Sequence, residues 1–398
     1  MLKRVVLLSA LIGQAFCWPA SGQLICPATG HAKLDCLIPT ALHTPPGEFS
    51  FLNTAFATQL SQLPLATPAA GILIEEVNGV PQISNKGFGP IMSERAETIG
   101  KHRLFLAFTY QYFAFHSIDG TDLTNVPIVL TLRTPTDVIY TATNNHIATT
   151  VNQYTGFATF GLTNRIDVSI AVPIERISLG MSSVGTEYST SSSAKASFQE
   201  YVPGTASGFG DVVLAGKGTV LRREGYALAV GAEFRLPSGD AQNFLGSGAY
   251  GIKPYMAISG TGKISPHANL GYQWNSNSVL ATNRFGNEQQ LPTYFLYYFG
   301  ADFNVSKRAT LIADFLGQEF FNAPQVTAPM NVPIPNRDLS APSIEPFNGS
   351  YASNNLALGV KWNAWKRLLL TGNVLIKLND SGLRATAVPL IGASYTFR

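Results

Sequence analysis

Apolar and polar residues alternate with a period of two along most of the chain from Arg103 onward. In one such stretch Leu228 and Val230 fall on one face, whereas Glu233 and Arg235 fall on the opposite face. This period is typical of β-strands with two different faces, and helical spacing does not explain it. Most of the predicted strands are roughly 10 residues long, which is enough for a tilted membrane crossing. We count twelve strands, beginning near Arg103, Ile147, Arg165, Asp211, Tyr226, Ala249, Lys263, Tyr294, Ala309, Asn354, Arg367 and Ala387.

The connections between these strands alternate strictly between short and long. An outer-membrane β-barrel does this, with short periplasmic turns and long external loops, and an even strand number returns both termini to the periplasm. The stretch 127–142 could form one more hairpin, which would give fourteen strands instead of twelve. The short turns are 163–164, 223–225, 261–262, 306–307 and 364–366, and the long loops are 115–146, 181–210, 237–248, 275–293, 320–353 and 379–386.

Aromatic residues lie at the ends of several predicted strands. A soluble β-sandwich would place them in the middle of its apolar face, whereas Trp274, Trp362 and Tyr395 suit the interfacial girdles of a membrane barrel. The final strand, with Gly392, Tyr395 and Phe397, resembles the terminal signal that the barrel-assembly machinery reads, although the chain ends in arginine. We therefore expect that machinery to be a partner of this protein.

The composition supports the same fold class. Only 13% of the 398 residues are charged and 36 are glycine, whereas a soluble enzyme carries about 25% charged residues. No apolar run beyond the N-terminus reaches the roughly 18 residues of a transmembrane helix. The pattern predicts an all-β protein, a transmembrane antiparallel β-barrel of about twelve strands with an N-terminal plug-like segment.

The first 22 residues have the order of a secretory signal peptide. Lys3 and Arg4 precede an apolar stretch, and small residues at 20–22 follow it. Removing the two basic residues lowers the formal net charge from +3 to about +1 (3 − 2), and no basic patch indicates nucleic acid. We expect secretion, cleavage near Gly22 and residence in the bacterial outer membrane.

Two cysteines remain after the signal peptide, Cys26 and Cys36. In an oxidising compartment a close, even pair predicts a disulfide. The same two residues with His31 and His43 could be considered as metal ligands, but their spacing matches no zinc pattern. We expect a disulfide and no metal.

Residues 23–100 differ from the barrel, which we place at 101–398. Prolines recur among them, and residues 72–83 predict a small hairpin with Asn78-Gly79 as its turn. The segment could be a periplasmic extension or a plug inside the barrel. We favour the plug, because a lumen of twelve strands is too wide for barrel side chains alone to fill.

Several sequence stretches resemble the outer-membrane family named for the meta-pathway of phenol degradation, which is similar to the long-chain fatty-acid and aromatic-hydrocarbon transporters. The resemblance covers most of the mature chain. It implies transport of hydrophobic compounds through a barrel gated by its N-terminal segment. The stretches include residues 56–65, 94–100, 109–113, 208–212, 235–240, 243–246 and 266–272.

A set of polar residues should face the lumen by alternation. Charges inside a barrel are usually solvated or paired across strands, and Lys263 with Glu233 or Asp302 is the pairing we expect. Ser265 and His267 share a strand face but lie beyond hydrogen-bond reach, so we expect no catalytic site and no cofactor. The lumen-facing candidates are Lys217, Glu233, Arg235, Lys263, His267, Asp302 and Asp314.

These features favour an outer-membrane channel for small hydrophobic compounds, aromatic or aliphatic. Lipopolysaccharide blocks the diffusion of apolar molecules from outside, so such a channel needs an apolar external entrance. The external loops are rich in aromatic residues that could form it. A general polar porin, a structural barrel without transport and a membrane enzyme remain alternatives. The expected entrance residues are Phe244, Leu245, Phe285, Phe320 and Phe321.

Overall fold

The computed structural model describes residues 33–42, 50–60, 63–64, 74–77, 80–83, 88–193, 195–282, 287–365 and 367–397. The expected signal peptide, Cys26 and Phe285 lie outside the described residues. The helices are α1 (Leu37–Ala41), α2 (Ser50–Leu60) and two 3-10 turns, Leu34–Cys36 and Ala241–Asn243. No helix in the described residues has the length and apolarity needed to cross a membrane.

The strands occupy most of the remaining chain. In order they are β1 (Ile74–Val77), β2 (Val80–Ile83), β3 (Leu104–Ile118), β4 (Thr121–Asp122), β5 (Val126–Arg133), β6 (Val138–Gly161), β7 (Ile166–Ser189), β8 (Lys195–Phe209), β9 (Val213–Arg223), β10 (Tyr226–Arg235), β11 (Gly251–Gly260), β12 (Ile264–Asn275), β13 (Asn277–Thr282), β14 (Glu288–Gln290), β15 (Thr293–Ser306), β16 (Ala309–Val326), β17 (Met330–Pro333), β18 (Ser340–Ser343), β19 (Pro346–Trp365), β20 (Leu368–Lys377), β21 (Leu383–Ala385) and β22 (Ala387–Phe397).

Twelve antiparallel strands close into a barrel, in the order β3, β6, β7, β9, β10, β11, β12, β15, β16, β19, β20 and β22. The first strand of the ring completes it, because Leu104 of β3 is the register partner of both Phe397 in β22 and Phe160 in β6. The predicted fold class and the strand number of twelve are confirmed. Closure leaves no free edge in the ring, which is the condition for a sheet to exist in lipid.

The alternative of fourteen strands is wrong. The extra hairpin exists, since β5 pairs with the start of β6 from Val126↔Asn145 to Arg133↔Val138, but β6 then continues into the barrel as one strand. β6 and β7 are each 24 residues long, or roughly 80 Å at about 3.3 Å per residue. They therefore extend well beyond a hydrocarbon core of about 30 Å, and the hairpin belongs to an external extension of the sheet.

The faces of the barrel are the reverse of a soluble protein. Large apolar side chains such as Phe108 (53% exposed) and Val230 cover the outside, whereas polar side chains such as Gln111, Gln153 and Thr155 are buried on the inner face. An apolar exterior of this kind is stable only against lipid. Together with ring closure it establishes an outer-membrane β-barrel.

Candidate functional site: the barrel lumen

An irregular segment, residues 88–100, crosses the interior near the short-turn end of the barrel; we call it the belt. Side chains of the wall hydrogen-bond to its backbone. Asn269 accepts from the amide of Glu94 at 2.5 Å and donates to the carbonyl of Glu94 at 2.8 Å. Ser259 Oγ accepts from Ala96 N at 2.9 Å. Within the part of the chain that the structure describes, the belt belongs to no strand or helix, so these side chains satisfy backbone groups that burial would otherwise leave unpaired.

Two buried lysines hold the belt at separate places. Lys361 Nζ donates to the carbonyl of Pro90 at 2.6 Å and to that of Phe88 at 3.3 Å. Lys217 Nζ donates to the carbonyl of Arg95 at 2.7 Å and pairs with the Glu94 carboxylate at 3.0 Å. Hydrogen bonds from a charged donor are about twice as strong as neutral ones.

His267, Asp302 and Asp314 form a buried carboxylate–histidine group beside the belt. His267 Nε2 lies 2.6 Å from Asp314 Oδ1, and His267 Nδ1 lies 3.9 Å from Asp302 Oδ1. His267 and Asp314 belong to strands separated by β15, and Gly300 of β15 is the register partner of both. A Cβ at Gly300 would come within 2.0 Å of the Asp314 carboxylate, so only glycine lets the two side chains meet across the strand.

The barrel wall is interrupted at residues 210–212, between β8 and β9. Both strands pair with β7, through Ile174↔Phe209 and then Ala171↔Val213. On the short-turn side of the interruption, β9 pairs with β10 as well as with β7. On the external side, β8 pairs among the described strands with β7 alone. The Asp211 carboxylate accepts from the amides of Gly239 at 3.1 Å and Ser247 at 2.7 Å, so it ties the following external loop to the break.

Residues 33–37 bridge this interruption from the inside of the barrel. Leu34 N donates to Asn243 Oδ1 at 3.2 Å, and Lys33 pairs with Asp240. A Cβ at Gly204 in β8 would lie 2.7 Å from side-chain atoms of both Leu34 and Leu37, so the missing side chain allows the close approach of this segment to the wall. Burial, and secondarily the charge of Asp240, raises the pKa of Asp35 to about 7.

α2 lies at the opposite side of the outer lumen. Leu52, Phe56 and Leu60 are buried in one apolar cluster with inward-facing residues of the wall, among them Phe113 and Leu316. Thr54 Oγ1 donates to the carbonyl of Leu280 at 2.7 Å, and Gln59 hydrogen-bonds to the Tyr351 hydroxyl. Apolar packing, with a few polar contacts, holds this helix.

A cavity of about 140 Å³ lies between the belt and the residues that follow α2. Its apolar wall includes Met92 of the belt, Leu63, and Phe157, Val213 and Leu296 of the barrel. Val213 follows the wall interruption directly in sequence, so the cavity lies beside the break. The polar part of its lining consists of Glu94, Ser169, Glu233, Arg235, Lys253, Tyr255, Asn269, Gln273, Tyr294, Tyr298 and Gln318.

Most of the expected lumen residues lie on the inner side of the barrel. Lys217 binds the belt, Glu233 and Arg235 line the cavity, and His267, Asp302 and Asp314 form the buried group. Lys263 is an exception that corrects our expectation. It lies just before β12 in a short turn and is exposed, because the strand begins one residue later at Ile264. Glu233 therefore pairs with Lys253 instead, at 2.7 Å.

The expected external entrance is also corrected. Phe244, Leu245 and Phe320 are buried: the first two belong to the apolar cluster that contains Leu34 and Leu37, and Phe320 stacks on Tyr351 inside the barrel. Phe321 points outward, is 37% exposed and stacks on Tyr272. Loop composition alone cannot tell which aromatic side chains face inward and which face outward, because the external loops fold back over the lumen. Cys36 is disulfide-bonded, but its partner lies outside the described residues, so the pairing with Cys26 stays a prediction.

Sequence reasoning missed several polar residues of the lumen, among them Arg95, Asp211, Lys253 and Lys361. Lys253 and Lys361 fall on the same strand faces as other inward residues, so alternation could have found them. Arg95 and Asp211 lie in irregular backbone, where no period exists to assign a face.

Comparisons with known proteins give low similarity to solved structures. An outer membrane channel from Pseudomonas putida F1 is 11% identical, with 76% of this chain and 98% of that chain covered and a TM-score of 0.48. The toluene transporter TbuX of Ralstonia pickettii is 10% identical, with 75% and 90% covered and a TM-score of 0.37. A Pseudomonas aeruginosa FadL homologue is 10% identical, with 74% and 90% covered and a TM-score of 0.30. No curated protein matches the chain.

A family model gives the assignment that these structures do not. The model for the MetA-pathway of phenol degradation matches residues 140–382, which is more than half of the chain and runs from the external part of β6 to the loop before β21. The protein is therefore an outer-membrane β-barrel that belongs to the family described by the MetA-pathway of phenol degradation.

Proposed function

We propose that this protein lets small hydrophobic compounds cross the outer membrane. The observation that carries the proposal is the mainly apolar cavity beside the interruption of the barrel wall at residues 210–212. A pocket for a small molecule is typically concave and mostly apolar, with a few placed polar groups. The family membership and the names of the compared channels agree with this function.

The proposed route runs along α1 and past the wall interruption. Leu34 and Leu37 are buried in one apolar cluster with Phe244 and Leu245, and this cluster would become the apolar entrance when α1 moves. Movement of α1 would open a path between the external side and the cavity. The belt would keep the periplasmic end closed to ions and sugars, so the N-terminal segment would act as the plug.

Uptake by whole cells tests the proposal. Labelled toluene and a labelled small sugar are offered to cells whose intact lipopolysaccharide layer limits both, with and without the protein. We expect faster toluene uptake alone. Faster sugar uptake would make the protein a general porin, and no change in either would indicate a structural barrel or an enzyme.

A variant with weakened α1 docking tests the route. Leu37→Ala removes a buried contact with the wall at Gly204, and Asn243→Ala removes the acceptor of Leu34 N. Together they should speed toluene uptake and leave sugar uptake unchanged. The control is Leu339→Ala, which changes an exposed leucine in an external loop. Equal uptake in all three proteins would overturn the route along α1.

A further inference from the structure

The charges that line the cavity are all compensated within the described residues. Glu233 pairs with Lys253 at 2.7 Å, its direct register partner on the next strand. Glu94 Oε2 pairs with Lys217 Nζ at 3.0 Å. Arg235 Nε lies 3.8 Å from Asp211 Oδ2, and Arg235 Nη2 donates to Asn275 Oδ1 at 2.7 Å. The lining therefore carries equal numbers of opposite charges, each close to its partner.

This arrangement disfavours a charged ligand. An ion that enters a largely apolar cavity loses its hydration shell. This desolvation free energy is recovered only if the cavity offers an opposite charge that is not already paired. A carboxylate that approached Lys253 or Arg235 would also meet the negative charge of Glu233 or Asp211, which largely cancels the attraction. An ammonium group that approached Glu233 or Glu94 would likewise meet Lys253 or Lys217.

The same lining disfavours a pure hydrocarbon as the best ligand. The side chains of Glu233 and Lys253 remain 26% and 17% exposed, so their pairing does not seal them from the cavity. An ammonium has three donors and a carboxylate about four acceptor positions, so one contact between them leaves capacity on both. The side-chain amides of Gln273 and Gln318 lie in the same lining.

The size of the cavity and its aromatic side chains define the rest of the ligand. Tyr294, Tyr298 and Phe157 give flat aromatic surfaces around a volume of about 140 Å³. An apolar cavity of roughly 150 Å³ holds one benzene molecule. The body of the ligand is therefore about the size of one aromatic ring.

We propose that the cavity is a binding site for a neutral, single-ring molecule that carries one hydrogen-bonding group, and that Glu233 and Lys253 together recognise this group. A hydroxyl on the ligand donates to the Glu233 carboxylate and accepts from Lys253 Nζ without breaking the ion pair. The ring lies against the tyrosines and the apolar wall. The inference rests on the proposed function and names its substrate class and the residues that set it.

Four probes of nearly equal size separate the ligand classes: toluene, benzyl alcohol, benzoate and benzylamine. The measurement is the initial rate of protein-dependent uptake, after subtraction of the rate in cells that lack the protein. We expect benzyl alcohol to enter at least about fivefold faster than toluene, and the two ions at least about tenfold more slowly than benzyl alcohol. Faster uptake of toluene, benzoate or benzylamine than of benzyl alcohol would overturn the proposal.

A double variant tests the two residues. Glu233→Met with Lys253→Met removes the ion pair and both hydrogen-bonding groups and nearly keeps the volume, so the ratio of benzyl alcohol to toluene uptake should fall close to one while toluene uptake persists. The control is Lys377→Met with Asp380→Asn, which removes the ion pair Lys377–Asp380 outside the cavity and should keep the ratio. Heat-dependent mobility in a denaturing gel checks that each barrel is folded.

The outcomes distinguish the inference from the function on which it rests. Unchanged preference in a folded double variant would show that Glu233 and Lys253 do not select the ligand. If toluene and benzyl alcohol enter equally in the natural protein, the inference fails and the proposed function stands. If none of the four probes enters, both fail.

Discussion

The two parts of the N-terminal segment are held in the barrel by different chemistry. α1 and α2, at the outer end, bury leucines, isoleucine and phenylalanine in one apolar cluster with the wall. The belt, at the short-turn end, adds only Ile91 and Met92 to that cluster, and its backbone is held by individual side-chain hydrogen bonds, three of them from two buried lysines.

The different contacts of the helices and of the belt indicate how easily each part can move. Apolar packing is non-directional, so a helix held by it can shift or be displaced by an apolar ligand with a gradual cost. A belt held by buried polar groups has few alternatives, because every broken bond leaves an unsatisfied group. We therefore expect the outer end to be the adaptable gate and the belt to be the rigid closure.

The largest effect should follow from Lys361→Met, which removes the donor to Phe88 and Pro90. Leaving these two buried carbonyls unpaired costs about 1–3 kcal/mol for each, so the belt should detach at this end. Ion conductance in planar bilayers should rise several-fold. Lys377→Met, which removes a partly exposed ion pair with Asp380 away from the belt, is the matched control and should not raise the conductance. Low conductance in both would mean that the belt is not the closure.

A second large effect is expected for Leu52→Ala in α2, where the side chain is fully buried. The loss of a buried leucine should destabilise the packing of α2 by about 3 kcal/mol. Hydrogen exchange of the α2 amides should speed up, while conductance stays at the natural level because the belt is untouched. Conductance as high as in Lys361→Met would show that the two parts open as one unit.

An intermediate effect concerns pH and Asp35, which lies in the 3-10 turn before α1. Its pKa is about 7 when docked, against 3.8 for a free aspartate, so the docked state binds the proton more tightly. Docking should be strongest below about pH 4, weaken by up to about tenfold per pH unit toward pH 7, and stay constant above it. Hydrogen exchange of the α1 amides at pH 5 and pH 8, corrected for intrinsic rates, measures this.

The control for that measurement is Asp35→Asn, which cannot ionise. Its corrected exchange should be the same at both pH values. A pH dependence as large in Asp35→Asn as in the natural protein would assign the effect to another group, such as Asp240.

The smallest effect is expected for Thr219→Ala in β9. Thr219 Oγ1 donates to the carbonyl of Ala96 at 2.6 Å, and leaving that buried carbonyl unpaired should cost about 1–2 kcal/mol. Protease resistance of the belt should fall slightly. Thr219→Ser keeps the hydroxyl and should keep the resistance, and an equal fall in both would point to packing of the methyl group instead.

Much of the barrel could be predicted from the sequence because each strand carries its own two-faced pattern. The strand from Tyr226 was predicted at its first residue, and the twelve-strand count followed from alternation and loop lengths. The predicted starts near Ile147 and Asn354 were late, because β6 and β19 begin at Val138 and Pro346, in sheet that continues above the membrane. There apolar and polar residues no longer alternate, as in Val138-Ile139-Tyr140 at the start of β6, so the period fades although the hydrogen-bonded ladder continues.

The candidate site was harder to predict for the same physical reason. Alternation gives a direction for Glu233 or His267, but not the partner that the side chain meets on another strand. The pairing of Glu233 with Lys253 depends on the register of β10 against β11, and the contact of His267 with Asp314 depends on the space left by Gly300.

The sequence by itself determined the compartment that we expect and the two-faced strands, since these depend on local pattern and composition, but it left a choice between twelve and fourteen strands. Only the tertiary structure decided where the irregular segments lie: the belt under Lys361, α1 across the interruption at 210–212, and Phe244 inside rather than outside. Irregular backbone has no period, so its position is set by contacts with residues far away in the chain. Those contacts exist only once the barrel has closed.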